Sequence, residues 1–373
     1  MQLNRTSNNS TITAAAVIII VAGIILLMVY AKTLLIPLIA GAYLAMLLVP
    51  EVTKMESYKI PRVLAILIML IVTSLAFVGI VWFFGGQISS FSEDLSGVEV
   101  QFQQFVNDMS QFLSENFGMQ DALSFKAIND KLFIFLKENA SKISSAAFST
   151  IGSLGLLILV PVYFFMFLLY RDHFTMFAIR LFNKHPQTRV VEVVTDLRSV
   201  IQKYITGMLK VMAILAVLNV IALSALGIRH ALFFGIFAAM MNVVPYVGPM
   251  IGSVLPILFA LLTKDSLLYP LGVFIAFTVI QTIEGNYLTP KIVGSNVNIN
   301  PIVSLVALLI GSLLWGVVGM ILFIPLAAII KKLLELSPNT EVYGYLMGEE
   351  VSDNTKPGKK LTIPKIFGKK TNS

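Results

Sequence analysis

The sequence predicts an all-α integral membrane protein, and three observations carry that prediction. Hydrophobic residues make up 57% of the chain and charged residues 13%, with a mean hydropathy of +0.86; soluble domains carry roughly 25% charged residues. Apolar runs long enough to cross about 30 Å of hydrocarbon as helices recur along the chain. In the C-terminal half, two such runs are interrupted by clusters of Pro and Gly. The expected plan is about five or six full spans, two interrupted helical hairpins and an extracytoplasmic helical insert.

The first apolar run, Ile12 to Tyr30, has only Arg5 ahead of it. It is long enough to span and no small-residue cleavage site follows, so it reads as a transmembrane helix rather than a leader. The second run is Leu34 to Val49, with Pro37 near its start. A loop, Glu51 to Arg62, leads to a third span, Val63 to Phe84, which ends at Gly85-Gly86.

Gln87 to Ser145 differs in kind. Eight acidic residues face four lysines. Phe91, Leu95, Val98, Phe102, Phe105, Met109 and Phe112 step by four and three, and Ile128, Leu132 and Phe135 form a second, weaker series. That spacing predicts an antiparallel helical hairpin outside the membrane. Its seam serves either packing within the hairpin or contact between subunits.

A fourth span runs from Ile151 to Tyr170, with Pro161 as an expected kink. The basic segment Arg171 to Lys203 reads as an amphipathic helix at the inner surface. A fifth span follows, Ile205 to Leu226. Lys210, near its start, either snorkels to the interface or pairs with an acid deeper in.

Ala231 to Leu262 is broken between Asn242 and Gly252 by Pro245, Gly248 and Pro249. Prolines and glycines so dense exclude a regular helix. After the span Leu267 to Tyr287, the stretch Pro301 to Ile330 is broken at Gly311, Trp315-Gly316 and Gly319, with Pro325 beyond. Irregular backbone at membrane depth is tolerated only inside protein or beside a wet cavity. Two such segments point to a transport site; two pairs of kinked spanning helices are the alternative.

Five segments follow from this reading. They are N-terminal transmembrane helices (1–86), the extracytoplasmic hairpin (87–145), a transmembrane helix with a cytoplasmic amphipathic helix (146–204), a C-terminal core with two broken hairpins (205–336), and a cytoplasmic tail (337–373). Basic flanks place both termini inside.

Within the core, Gln281 and Glu284 are three apart and share a helix face, Asn286 follows within a turn, and Pro290 is expected to stop the helix. A carboxylate at the centre of a membrane helix costs roughly 2.5–3.5 kcal/mol on insertion scales. Glu284 therefore either lines a pathway or sits hydrated at the interface. On the first reading, Glu284 carries the coupling proton or cation, with Lys210 as its possible partner. Asn242, Gln281 and Asn286 bind a small polar solute, and the breaks at Pro245, Gly248, Pro249, Trp315, Gly316 and Gly319 expose backbone to it.

Other chemistries find no support in the sequence. There is no cysteine, which excludes disulfides and thiol redox chemistry. His173, His185 and His230 are not paired at helical spacing, so no metal site is legible. No H-E-x-x-H, G-x-S-x-G or Walker pattern occurs, and neither an enzyme nor a cofactor is expected. The net charge of +7 is assigned to cytoplasmic flanks rather than nucleic acid. A membrane scaffold acting through its outer helices remains the alternative to a transporter.

Together, Pro245-Tyr-Val-Gly-Pro249, Gln281-x-x-Glu284-x-Asn286-x-x-x-Pro290, Asn300-Pro301 and Trp315-Gly316-x-x-Gly319 with Pro325 resemble the autoinducer-2 exporter (AI-2E) family of bacterial membrane proteins. Tyr204-Ile-x-Gly207 fits as well. The resemblance covers essentially the whole chain. It implies a multi-pass transporter of the inner membrane, assembled as a homo-oligomer such as a pentamer. It implies either export of the furanone autoinducer-2 or exchange of a monovalent cation for a proton.

Overall fold

The computed structural model describes residues 4–87, 154–181, 186–245, 247–264, 266–294, 299–335 and 340–348. The outer insert with its heptad series, and the tail beyond Gly348, lie outside the described residues. Those described are helical, with no strand among them, and the molecule is an all-α, multi-pass membrane protein. Among them, five helical stretches have the length and hydropathy of a membrane crossing, and one of these, Pro301–Leu334, folds back on itself at Gly316.

α1 (Asn4–Tyr30) and α2 (Lys32–Ser57) are joined at Ala31. α2 runs beyond the apolar stretch because Glu51, Lys54 and Glu56 are good helix formers. It ends before Lys59, which takes a left-handed conformation. α3 (Arg62–Gln87) and α4 (Leu154–Leu169) pack on the second half of α2. Val49, Val52, Ile66, Phe164 and Leu168 are buried between them. α5 (Arg171–Leu181) is short and has no buried residue.

α6 (Gln187–Ala225) is one helix of 39 residues. The amphipathic segment thus passes into the apolar one without a break. α6 is the spine on which both hairpins lie.

The first hairpin is α7 (Ala231–Met241) and α8 (Val247–Thr263). The break is narrower than expected, because Gly248 and Pro249 begin α8, where proline's missing N–H costs nothing. A Cβ on Gly248 would run into the Met241 carbonyl, so only glycine lets the arms close there. With 11 residues, α7 is about 16 Å long, well short of the hydrocarbon core. The open end of this hairpin lies by the C-terminus of α6, where Gly227 meets Lys264.

α9 (Leu268–Ile283) does not stop at Pro290. It continues as two π-helical stretches, Glu284–Leu288 and Pro290–Gly294. A proline ring collides with the carbonyl one α-turn back. The wider turn avoids the collision, and the Thr289 N–H donates to the carbonyl of Glu284, five residues earlier.

α10 (Pro301–Leu334) reverses at Gly316, whose φ of 62° and ψ of −140° lie outside the helical region. Gly311 and Gly319 touch backbone to backbone across the reversal. The two arms span about 22 and 27 Å, against about 30 Å of hydrocarbon. α11 (Glu341–Met347) clasps both ends of α10. Asn300 caps α10 by accepting from Val303 N–H at 2.8 Å, and its Nδ2 donates to the Leu346 carbonyl at 2.8 Å. At the other end, Gly344 lies against Glu335 and the Lys331 carbonyl.

Several ion pairs among the described residues gather at one end of the molecule. Arg62 binds Asp172 at 2.7 Å and Glu56 at 3.2 Å, and Arg171 also binds Glu56. Lys332 reaches Asp196 of α6 at 3.7 Å. The second hairpin opens toward this charged end and the first toward the opposite end.

A bulky residue at the Gly311–Gly319 contact must part the arms. Gly311→Leu is expected to destabilise by about 3 kcal/mol or more, read by denaturant titration of purified protein. Burial pushes the Glu335 carboxyl upward, but hydrogen bonds and charge from Lys331 and Lys332 outweigh it and hold it below the ordinary 4.5. Its contribution is complete above that value and is lost as pH falls through the lower folded-state value. Amide exchange in residues 341–347 is therefore expected to rise as pH drops below 4.5, after correction for intrinsic rates.

Candidate functional site

α9 carries the polar residues that the sequence singles out, and α6 places them. A Cβ on Gly207 of α6 would stand 2.9 Å from the Ile292 carbonyl, so α6 and the π-helical end of α9 cross at van der Waals contact. Around this crossing Tyr204, Val211 and Leu215 of α6, Ala239 of α7, Ile280 and Val293 of the α9 rod, and Ile324 of α10 form one buried cluster. Both hairpins therefore meet α6 and α9 at one place, and the ground they share is apolar.

Glu284 lies at the edge of that ground. It is half-buried, follows Ile280 by one turn, and sits where the helix widens. Its Oε1 accepts a hydrogen bond from Thr289 Oγ1. Gln281 is also half-buried. Asn286 is exposed, and its Nδ2 donates to the Thr282 carbonyl at 2.8 Å. Thr282 donates in turn to Thr278, and Thr278 to Phe274, both to backbone oxygens. Polar side chains thus climb the exposed side of α9 in steps of four, each satisfied by the turn before it. Pro290 is exposed within the second π stretch.

The other residues fall in two further places. Asn242 and Pro245, half-buried, form the tip of the first hairpin, with Gly248 buried and Pro249 half-buried just beyond. Trp315, Gly316 and Gly319 form the tip of the second. Trp315 is buried, donates its Nε1 to the Met28 carbonyl at 2.8 Å and meets Phe323 edge to face. Met28 lies in the last turn of α1, where carbonyls lack helical partners. One cluster holds Trp315 with Tyr43, Ile201 and Ala328, apart from the cluster beside Glu284. The Tyr43 hydroxyl donates to the Leu322 carbonyl at 3.1 Å. Lys210 is exposed, and among the described residues no ion pair joins it to Glu284. No group of three or more His, Cys, Asp or Glu able to hold a metal occurs among the described residues.

One polar residue was missed. Asn219 of α6 is 2% exposed, and its Oδ1 has no hydrogen-bond partner among the described residues. An unsatisfied buried amide oxygen costs roughly 1–3 kcal/mol. The signal was present in Leu-Ala-Val-Leu-Asn219-Val-Ile-Ala-Leu, where a single amide interrupts an apolar run.

The profile described as AI-2E family transporter matches residues 16–339. YueF of Bacillus subtilis is 26% identical over 317 residues, covering 82% of this chain and 84% of that protein. YrrI of the same organism is 28% identical over 310 residues, covering 81% and 86%. The AI-2 transport protein TqsA of Escherichia coli is 23% identical over 330 residues, covering 86% and 91%.

The Trp315 bond fastens the second hairpin to α1. Trp315→Phe keeps the ring and removes the donor. It is expected to destabilise by about 1 kcal/mol, and a denaturation midpoint equal to that of the parent protein would show the bond to be idle.

Proposed function

Because this chain belongs to the AI-2E family of transporters, we propose that it is a secondary carrier working through a site between two re-entrant hairpins. One observation carries the reading: a half-buried carboxylate, Glu284, sits in a widened helix where both hairpins converge. π-Helical turns are frequent at functional sites, and acids inside membrane segments mark substrate and proton paths. Hairpins entering from opposite ends, each with one arm too short to cross (α7, and α10 before Gly316), fit the plan of several secondary transporters.

The solute proposed is small and polar, of the autoinducer-2 type that the name of TqsA reports. Asn242 at the first tip and Gln281 beside Glu284 offer neutral hydrogen bonds. Glu284 supplies a group whose charge can change between inward and outward states. The same carboxylate suits a second reading, exchange of a monovalent cation for a proton. In either case the protein is a carrier rather than an enzyme, and lipid is its surroundings. Its exposed apolar helices α1 and α3 suit lipid or further copies of the chain, and a homo-oligomer is proposed.

Orientation follows from the charged end. Arg62, Arg171, Arg198, Lys331 and Lys332 gather there, which favours a cytoplasmic location under the positive-inside rule. The setting proposed is a bacterial inner membrane with both termini inside.

Glu284→Gln removes the charge and keeps the shape. In proteoliposomes with imposed proton or sodium gradients, the variant is expected to insert normally and to lose gradient-driven movement of autoinducer-2 or sodium. Parental flux in the variant would take Glu284 out of the mechanism. Absence of any solute movement by the parent protein would point to a scaffold.

A further inference from the structure

Asn219 stands between two buried clusters of the core. One turn before it, Leu215 packs with Ala239 of α7 and Ile280 of α9; one turn after it, Leu223 packs with Phe234 and Ala238 of α7 and Phe277 of α9. Residues four apart share a helix face, so Asn219 faces the seam where α6 meets α7 and α9. α6 and α9 run antiparallel there, for Gly207 meets Ile292 and Leu226 meets Gly272. That register sets Asn219 beside the turn Phe277–Ile280. Glu284 lies on the same face of α9, about 10 Å further along.

The neighbours decide what the Asn219 oxygen can bind. A dehydrated cation requires several oxygens at once. Leu215, Leu223, Phe234, Ala238 and Phe277 supply none from their side chains. A neutral solute bearing a hydroxyl requires one acceptor and apolar walls, the usual make-up of a small-molecule site. We propose that Asn219 Oδ1 accepts a hydrogen bond from a hydroxyl of a small neutral solute held at the α6–α9 seam. The contact selects hydroxylated solutes over cations at this level. It rests on the transport reading above and names the solute class for it.

The chain has no cysteine, so Asn219→Cys is a lone reporter in full-length protein reconstituted in vesicles. N-ethylmaleimide is expected to label it roughly tenfold faster than Leu215→Cys, one turn away and fully buried. Autoinducer-2, as the hydroxylated probe, is expected to slow the labelling, and sodium chloride to leave it unchanged. Labelling no faster than at position 215, or protection by sodium alone, overturns the assignment.

Asn219→Leu provides a second readout. Deleting an unpaired amide is expected to preserve or raise thermal stability while raising the KM for autoinducer-2 about tenfold. A fall in stability with unchanged KM would mark a purely structural residue and overturn the proposal. Protection of the cysteine in vesicles that show no autoinducer-2 flux would sustain the contact and remove the transport reading.

Discussion

A chain that turns back inside a bilayer leaves amide groups that lipid cannot satisfy. On the re-entrant reading proposed above, much of this architecture answers that constraint. Gly311 and Gly319 press backbone to backbone, which excludes lipid from the inside of the reversal at Gly316. Trp315 and Tyr43 tie the second hairpin to α1 and α2 through carbonyls of Met28 and Leu322. The first hairpin closes on itself at Met241 and Gly248 and leans on α6, where Gly235 rests against Val220. Small residues bring backbones together because apolar burial alone does not favour protein over lipid tails.

Charge is segregated with equal economy. Glu56 ends α2, Arg62 begins α3, Arg171 and Asp172 begin α5, and all four meet at one end. Asp196 and Lys332 add α6 and the second hairpin to the same surface. Exposed ion pairs contribute little stability singly, and salt screens them. Their effect here is to fix which helix ends lie together at the water interface. The membrane interior is left with few polar groups, and those that remain stand out.

Hydropathy made the spans legible, because a membrane helix must be apolar over its whole length. The breaks were legible as well, since the cluster at Pro245 and the glycine at Gly316 interrupt otherwise continuous apolar runs, although Pro249 and Gly319 proved to lie within the helical arms. Pro290 misled, because a wider turn can house a proline that an α-turn rejects. The seamless passage through Tyr204 had no local signal, for a change from amphipathic to apolar pattern does not require a break. The role of Trp315 could not be read either: its acceptor lies 287 residues earlier, and no local pattern encodes such a pairing. Of the candidate site, α9 and both hairpin tips were named from sequence, but their separation was not. Residues grouped by chemistry along the chain fell into three neighbourhoods once packed.

At 1.5 Å per residue, the 39 residues of α6 measure about 58 Å, nearly twice the thickness of the hydrocarbon. Roughly half of the rod must therefore project into water or lie at the interface. A rigid pole fixed near its middle is a lever. Rocking it by about ten degrees about that point would swing either end by about 5 Å. Such a tilt would move the aqueous end and the buried Asn219 together, without any change of fold.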